Sequence, residues 1–99
     1  MRPLLVLLAV LALAGCGSGA DRDAPKTPKA QFASSCGSCH TLADAGTSGT
    51  FGPNLDDLKP DQARVLAAIA AGPGGMPSGI LEGAEAEAVA AYVASVSGR

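Results

Sequence analysis

The sequence contains two cysteines separated by two residues, Cys36 and Cys39, and a histidine, His40, directly after the second. This C-x-x-C-H pattern is the one by which a haem is attached covalently to a polypeptide. Each thiol adds to one vinyl group of the porphyrin and forms a thioether, and the two residues between the cysteines let the backbone turn from one vinyl position to the other. His40 then follows under the ring, where an imidazole nitrogen can bind the iron as proximal ligand.

Three other uses of Cys36, Cys39 and His40 compete with haem attachment. A redox C-x-x-C of the thioredoxin type follows a β-strand in a βαβ pattern, and no such strand is predicted before Cys36. A zinc site needs about four ligands, whereas the chain has no second histidine and, besides these two, only one more cysteine, Cys16. A simple disulfide would leave His40 unexplained. The pattern therefore favours a covalently attached haem.

A second axial ligand would decide whether the iron only transfers electrons or also binds a small molecule. Because His40 is the only histidine, two histidines of one molecule cannot ligate the iron. The methionines are Met1, in a segment expected to be removed, and Met76, in a loop too rich in glycine and proline for the interior of a helix or strand. Methionine more often fills gaps in a core, but core methionines usually lie on a periodic element. Met76 is therefore predicted to complete a His/Met ligand set, which raises the reduction potential.

The order of these motifs resembles that of small bacterial class I c-type cytochromes with one haem. The resemblance covers roughly residues 28–97 and rests on Cys36-x-x-Cys39-His40, Gly52-Pro53-Asn54-Leu55 and Met76-Pro77. It implies an all-α, cytochrome c-like fold of three to four short helices wrapped around one covalent haem c, attached at Cys36 and Cys39 and ligated by His40 and Met76. It also implies that the Pro53 carbonyl accepts a hydrogen bond from the free ring nitrogen of His40 and so orients the ring.

The resemblance extends to the terminal helices. Phe32, one helical turn before Cys36, and Tyr92 match the crossing of the first and last helices in this family. Pro28 stands where the family commonly has a small residue, so the first helix is expected to be short. The chain has no tryptophan, which many relatives place near a haem propionate, and the resemblance therefore assigns no partner to the propionates.

Local signals predict where the helices begin and end. Thr27-Pro28 combines a helix N-cap with a proline at the first helical position, and a helix is predicted to run from there into the haem motif. Residues 41–51, rich in Gly, Thr and Ser, predict an irregular loop along one haem edge. Leu55 and Leu58 are expected to line the haem pocket.

Two further helices are predicted in the second half. One begins at Pro60-Asp61 and runs to about Ala71, where glycine and proline follow. The last runs from about Gly83 to Val96, because four residues at helical spacing form one apolar face. These are Val89, Tyr92, Val93 and Val96, and the helix of Pro60 to Ala71 carries a similar face of Val65, Leu66 and Ile69.

The N-terminal residues predict export and lipid anchoring. Residues 1–15 combine Arg2 with an apolar run that is too short to span a bilayer, which needs about 20 residues. Leu-Ala-Gly before Cys16 is typical of a lipoprotein signal peptide, so Cys16 is expected to be lipidated. Residues 16–29 then predict a flexible tether and residues 30–99 the cytochrome c domain. The expected location is the outer face of the cytoplasmic membrane, which is periplasmic if the envelope has an outer membrane.

Charge limits the partners. From Ala30 onward the sequence has seven acidic and three basic residues, a net charge of −4. This composition provides no basic patch for nucleic acid, and an acidic surface would instead attract a basic docking surface on a redox partner. Together, the haem motif, the His40/Met76 ligand set, the lipid anchor and the family resemblance predict a monomeric, non-enzymatic carrier of single electrons between membrane redox complexes. Two alternatives remain: a haem enzyme or gas sensor in which Met76 is displaced, and an electron-entry subunit of a larger dehydrogenase or oxidase.

Overall fold

A computed structural model describes residues 26–99, and about half of these residues are helical. The helices are α1 (Pro28–Ser35), α2 (Leu55–Leu58), α3 (Gln62–Ala71) and α4 (Gly83–Val96), and two short strands are β1 (Thr41–Leu42) and β2 (Thr47–Ser48). The prediction of three to four short helices is thus confirmed for this part of the chain. No helix within residues 26–99 is both long enough and apolar enough to cross a membrane.

Helix α1 begins as its capping signal predicts. The hydroxyl of Thr27 accepts a hydrogen bond from the Ala30 backbone N–H at 3.1 Å, and Pro28 is the first helical residue. The buried residue of α1 is Phe32, whose ring lies 6.4 Å from that of Tyr92 on α4, with the two planes tilted by 57°. This contact fixes the crossing of the first and last helices.

The prediction of an irregular loop at residues 41–51 was wrong in part. Strands β1 and β2 pair antiparallel around a short 3-10 turn, Ala43–Ala45. The hydroxyl of Thr47 donates to the His40 carbonyl at 2.9 Å and accepts from the Leu42 N–H at 3.1 Å. Strands of two residues have no alternation of polar and apolar side chains that a sequence could reveal, and this hairpin depends instead on a threonine side chain.

Helices α3 and α4 pack against each other and complete the domain. The Asp61 carboxylate caps α3 by accepting the Arg64 N–H at 2.8 Å, so the helix starts one residue later than the predicted Pro60-Asp61. Helix α4 has the predicted bounds, and its face carries Val89 and Val93, both almost fully buried. Glu82, the residue directly before this helix, makes no capping hydrogen bond with its side chain.

The short helix α2 was not predicted. The side chain of Asn54 accepts the backbone N–H groups of Asp56 and Asp57 at 2.9 and 3.3 Å, which starts a helical turn. The Asp56 carboxylate then accepts the N–H groups of Ala43 and Gly98 at 2.8 Å each. One side chain thereby connects α2 to the hairpin and to the C-terminal end of the chain.

Candidate haem site

The C-x-x-C-H residues form a tight turn directly after α1. The N–H groups of Cys39 and His40 both donate to the Cys36 carbonyl, at 3.1 and 3.0 Å. The Cys36 N–H itself donates to the Phe32 carbonyl at 2.8 Å, so the turn continues from the last turn of the helix. Cys36 is consequently part of the buried core, at 9 % exposure, whereas Cys39 and His40 are half-buried. The turn places the Cys36 thiol in the core and the side chains of Cys39 and His40 at the edge of the core.

The His40 ring is held by the Gly52-Pro53 segment. Its Nδ1 lies 2.8 Å from the Pro53 carbonyl oxygen, and because a carbonyl can only accept, Nδ1 carries the proton. The Gly52 N–H donates to the Cys39 carbonyl at 2.7 Å, which brings the segment alongside the motif. Gly52 allows this approach because a Cβ there would lie 2.7 Å from Cε1 of the ring. The imidazole is therefore oriented with Nε2 as its remaining nitrogen.

Met76 lies in a loop closed against the end of α3. The loop leaves the helix at Gly72, whose φ of +63° is a left-handed conformation that favours glycine. The Met76 N–H donates to the Pro73 carbonyl at 3.1 Å, and the Gly79 N–H donates to the Ile69 carbonyl on α3 at 2.8 Å. Met76 is half-buried and packs against the hydrophobic core. These hydrogen bonds define the backbone path of the loop that carries Met76.

One cavity contains all four of the side chains that the sequence predicts for haem attachment and ligation. Cys36, Cys39, His40 and Met76 line it together, and its volume is about 360 Å³. Most of the remaining wall is apolar and includes Phe51, Leu55, Leu58, Val65, Ile69 and Ile80. Pro53 lines the same cavity, whereas Cys16 and the predicted signal peptide lie outside the described residues. Residues from five separate segments thus meet around one space.

Comparison with protein families matches residues 23–93 to cytochrome c oxidase, cbb3-type, subunit III. The match spans well over half of the chain and includes every motif in the cavity. The chain belongs to this cytochrome c family. No curated protein sequence matches.

A solved structure supports the same assignment for this cytochrome. The crystal structure of the c-type cytochrome SorU from Sinorhizobium meliloti is similar, with a TM-score of 0.62 and 55% sequence identity. The match covers 65% of this chain and 75% of SorU. Together, the family and this neighbour imply that the cytochrome carries covalently bound haem c and serves as a haem electron carrier, which confirms the predicted cofactor.

The cavity of the cytochrome fits such a cofactor. Its volume falls within the range of about 300–1,000 Å³ that is usual for cofactor sites, which are mostly apolar with a few placed polar groups. A porphyrin has two apolar faces, and the wall around His40 and Met76 is correspondingly apolar. The two thiols stand in the wall of this space. Cys36 and Cys39 would hold the porphyrin, while His40 and Met76 would supply nitrogen and sulfur to its iron.

The thiols themselves do not resemble those of a redox motif. Burial and, second to it, the neighbouring Cys39 raise the pKa of the Cys36 thiol from 9.0 to about 11. Reactive C-x-x-C thiols have lowered pKa values instead. Within residues 26–99 both cysteines are free, and no three His, Cys, Asp or Glu side chains are placed to share a metal ion. The thioredoxin, disulfide and zinc alternatives therefore lose support.

Several lining residues were not predicted for the cytochrome's site, and Phe51 and Arg64 have the largest side chains among them. Phe51 is 76% exposed and lies against the Met76 loop, because a Cβ on Gly75 would come within 2.9 Å of its ring. The aromatic ring directly before Gly52 could have suggested this contact. Arg64, on α3, lines the cavity too. A lone exposed arginine on a helix carries no sequence signal for a site, and only its position in the fold identifies it.

Proposed function

We propose that the chain is a class I c-type cytochrome with one haem, attached through Cys36 and Cys39 and ligated by His40 and Met76, that carries single electrons. The observation that carries this proposal is the meeting of these four side chains in one apolar cavity. The thiols and the imidazole come from one turn and the thioether from a distant loop, so the fold supplies a proximal and a distal group to the same space.

The roles of the protein's own residues follow from their contacts. His40 donates its Nδ1 proton to Pro53, which fixes the tautomer, orients the ring and makes Nε2 a more basic ligand. The backbone hydrogen bonds that close the loop around Met76 would limit the movement of its thioether. When bound, haem c supplies the Fe(II)/Fe(III) couple, and a His/Met set favours a high potential. If His40 and Met76 both ligate the iron, no coordination position would be left for a substrate or for oxygen.

We further propose that the carrier works at a membrane as a monomer. Cys16 as a lipidated N-terminal residue would anchor it stably, since two acyl chains suffice for lasting attachment. Residues 16–29 would act as the tether above the outer face of the cytoplasmic membrane. The partners would be membrane redox complexes, one as donor and one as acceptor, and the net charge of −4 from Ala30 onward favours basic docking surfaces.

A second candidate is a fixed subunit of a larger oxidase or dehydrogenase. The family match favours it, because that family is described as a subunit of an oxidase. Purification of the native protein from detergent-solubilised membranes separates the two, since a subunit elutes with its complex and a shuttle elutes alone. A Cys16→Ala variant tests the anchor in the same preparation, and it should move from the detergent phase to the aqueous phase.

The visible spectrum tests the proposed ligands. Wild type should retain its haem after acid-acetone extraction and show a low-spin spectrum that carbon monoxide does not change. Met76→Ala should become high-spin and bind carbon monoxide. Ile80→Ala is the matched control, since it also shortens a half-buried side chain in the cavity wall but removes no ligand.

Three results would contradict the proposal. Haem lost on extraction would exclude thioether attachment at Cys36 and Cys39. Carbon monoxide binding by wild type would favour a haem enzyme or gas sensor in which Met76 is displaced. Equal spectral changes in Met76→Ala and Ile80→Ala would show that Met76 only fills space.

A further inference from the structure

Phe51 differs from the other large apolar side chains in the described part of the chain. It is 76% exposed, and among residues 26–99 it is the one large hydrophobic residue that is exposed. It also lines the haem cavity. A ring with about three quarters of its surface in water stabilises the core little through burial. Its contacts at the cavity therefore matter more than its burial.

The position of Phe51 is determined on two sides. Its backbone precedes Gly52, whose N–H is hydrogen-bonded to the C-x-x-C-H turn, so Phe51 starts beside the segment that orients His40. Its ring reaches the loop of Met76, because a Cβ on Gly75 would lie 2.9 Å from Cε1 and 3.0 Å from Cζ of the ring. The ring consequently lies against the backbone directly before Met76.

We propose that Phe51 is a positioning residue that holds the methionine loop, residues 72–79, closed over the cavity, so that Met76 stays at its ligand position and external ligands are kept from the iron. The inference rests on the His40/Met76 ligation of the proposed function. Within the described residues 26–99, no hydrogen bond joins residues 51–53 to the methionine loop. The Phe51 ring supplies an apolar contact between these two segments instead.

Gly75 is the residue that makes room for the ring. Its backbone is not in the left-handed conformation, in contrast to Gly72, Gly74 and Gly79 of the same loop, so alanine is conformationally allowed at this position. An alanine methyl group would occupy the place of the ring edge. Because the ring is mostly exposed, it can yield by swinging into solvent. Gly75→Ala therefore breaks the same contact as Phe51→Ala, from the other side and without straining the loop.

Closure of the loop controls the binding of external ligands. Such a ligand binds the iron only after Met76 has left, so its apparent affinity is proportional to the fraction of protein in which the loop is open. A contact that exists only in the closed loop lowers this fraction. Loss of the Phe51 contact should therefore raise the apparent affinity, by roughly tenfold if the contact contributes about 1.4 kcal/mol.

Titration of the ferric holoprotein with imidazole, followed by its absorption spectrum, tests the proposal. Phe51→Ala and Gly75→Ala should each bind imidazole roughly tenfold more tightly than wild type. The double variant should bind no more tightly than Phe51→Ala, because the added methyl group then meets no ring. Leu66→Ala is the matched control, since it shortens a half-buried side chain of α3 that does not line the haem cavity, and it should bind imidazole as wild type does.

Met76→Ala supplies the reference affinity of a protein without the distal ligand. If Phe51→Ala binds imidazole as weakly as wild type while Met76→Ala binds it tightly, Phe51 does not hold the loop, and the ligand assignment stands. Equal gains in Phe51→Ala and Leu66→Ala, or gains that multiply in the double variant, would also overturn the role of Phe51. Equal affinities of wild type and Met76→Ala would instead contradict the proposed ligand set itself.

Discussion

Gly52→Ala tests whether the approach of the Gly52-Pro53 segment to His40 positions the imidazole. A Cβ at this residue would lie 2.7 Å from Cε1, 3.0 Å from Nδ1 and 3.2 Å from Nε2 of the ring. To regain an ordinary contact of 3.4 Å, the ring or the segment must move by roughly 0.7 Å. Overpacking of this kind costs about 1–3 kcal/mol, and loss of the His40 to Pro53 hydrogen bond adds about 0.5–1.5 kcal/mol. The expected loss in the free energy of unfolding is a large part of the roughly 5–15 kcal/mol that is typical of a folded domain.

The assay is chemical denaturation of the holoprotein, together with its absorption spectrum. Gly52→Ala should unfold at a lower denaturant concentration and, if His40 is the proposed ligand, lose part of its low-spin spectrum, because a displaced imidazole would ligate the iron less well. Pro53→Ala is the matched control: it keeps the backbone carbonyl that His40 uses and should cost only about 0.4–1 kcal/mol through the unfolded chain. If Gly52→Ala unfolds at the same denaturant concentration as wild type and keeps its spectrum, the ring does not depend on this close approach.

Two further variants test contacts between helices and the hairpin. Hydrogen bonds from two backbone N–H groups hold the pKa of the Asp56 carboxyl below its usual 3.8, so this carboxylate stabilises the folded state above that pH and stops doing so as the pH falls through the lowered pKa. Asp56→Asn should therefore unfold at lower denaturant concentration than wild type at neutral pH, with the difference shrinking below about pH 4, while Asp57→Asn should behave as wild type. Burial and the Asp44 carboxylate raise the pKa of the Tyr92 hydroxyl, so the contribution of this group is fully present below about pH 10 and is lost as the pH rises through its raised pKa. Tyr92→Phe should lower the free energy of unfolding at neutral pH by about 1 kcal/mol, because it loses the hydrogen bond to Asp44 while its ring still packs on Phe32. An unchanged free energy of unfolding would mean that the hydrogen bond to Asp44 is too exposed to contribute to stability.

The sequence best predicts those parts of the fold that depend on interactions between residues close together in the chain. The N-cap at Thr27 and the apolar face of α4 each depend on residues within a few positions of one another, and both are found where predicted. The end of α3 at Gly72 is equally local, because the glycine takes the left-handed conformation that ends the helix. The family itself was recognisable because its motifs occur in a fixed order, which a single sequence displays.

The parts that were missed depend on contacts between distant residues. Helix α2 is a single turn that Asn54 starts, and the Asp56 carboxylate connects it to Ala43 and Gly98, 13 and 42 positions away. Such a bond has no local signature, since an aspartate two positions after an asparagine is ordinary in a loop. The position of Arg64 at the cavity is of the same kind, because it depends on how α3 packs against the rest of the domain. Sequence reasoning therefore predicted the four side chains proposed to hold haem, and Pro53, Leu55 and Leu58 beside them, but it missed Phe51 and Arg64 in the same cavity wall.

The cavity and the hydrophobic core are one continuous feature, and this couples the cofactor to stability. Cys36, Leu55, Ile69 and Val89 belong to the buried cluster and also line the cavity. The core around them is made mostly of medium-sized aliphatic side chains, with Phe32 as its one fully buried aromatic residue. A domain of this size buries little apolar surface and generally needs a cofactor, metal or disulfide to be stable. Haem c in this cavity would supply apolar surface that the sequence lacks, and Cys36, fixed in the core by the last turn of α1, would attach it from inside.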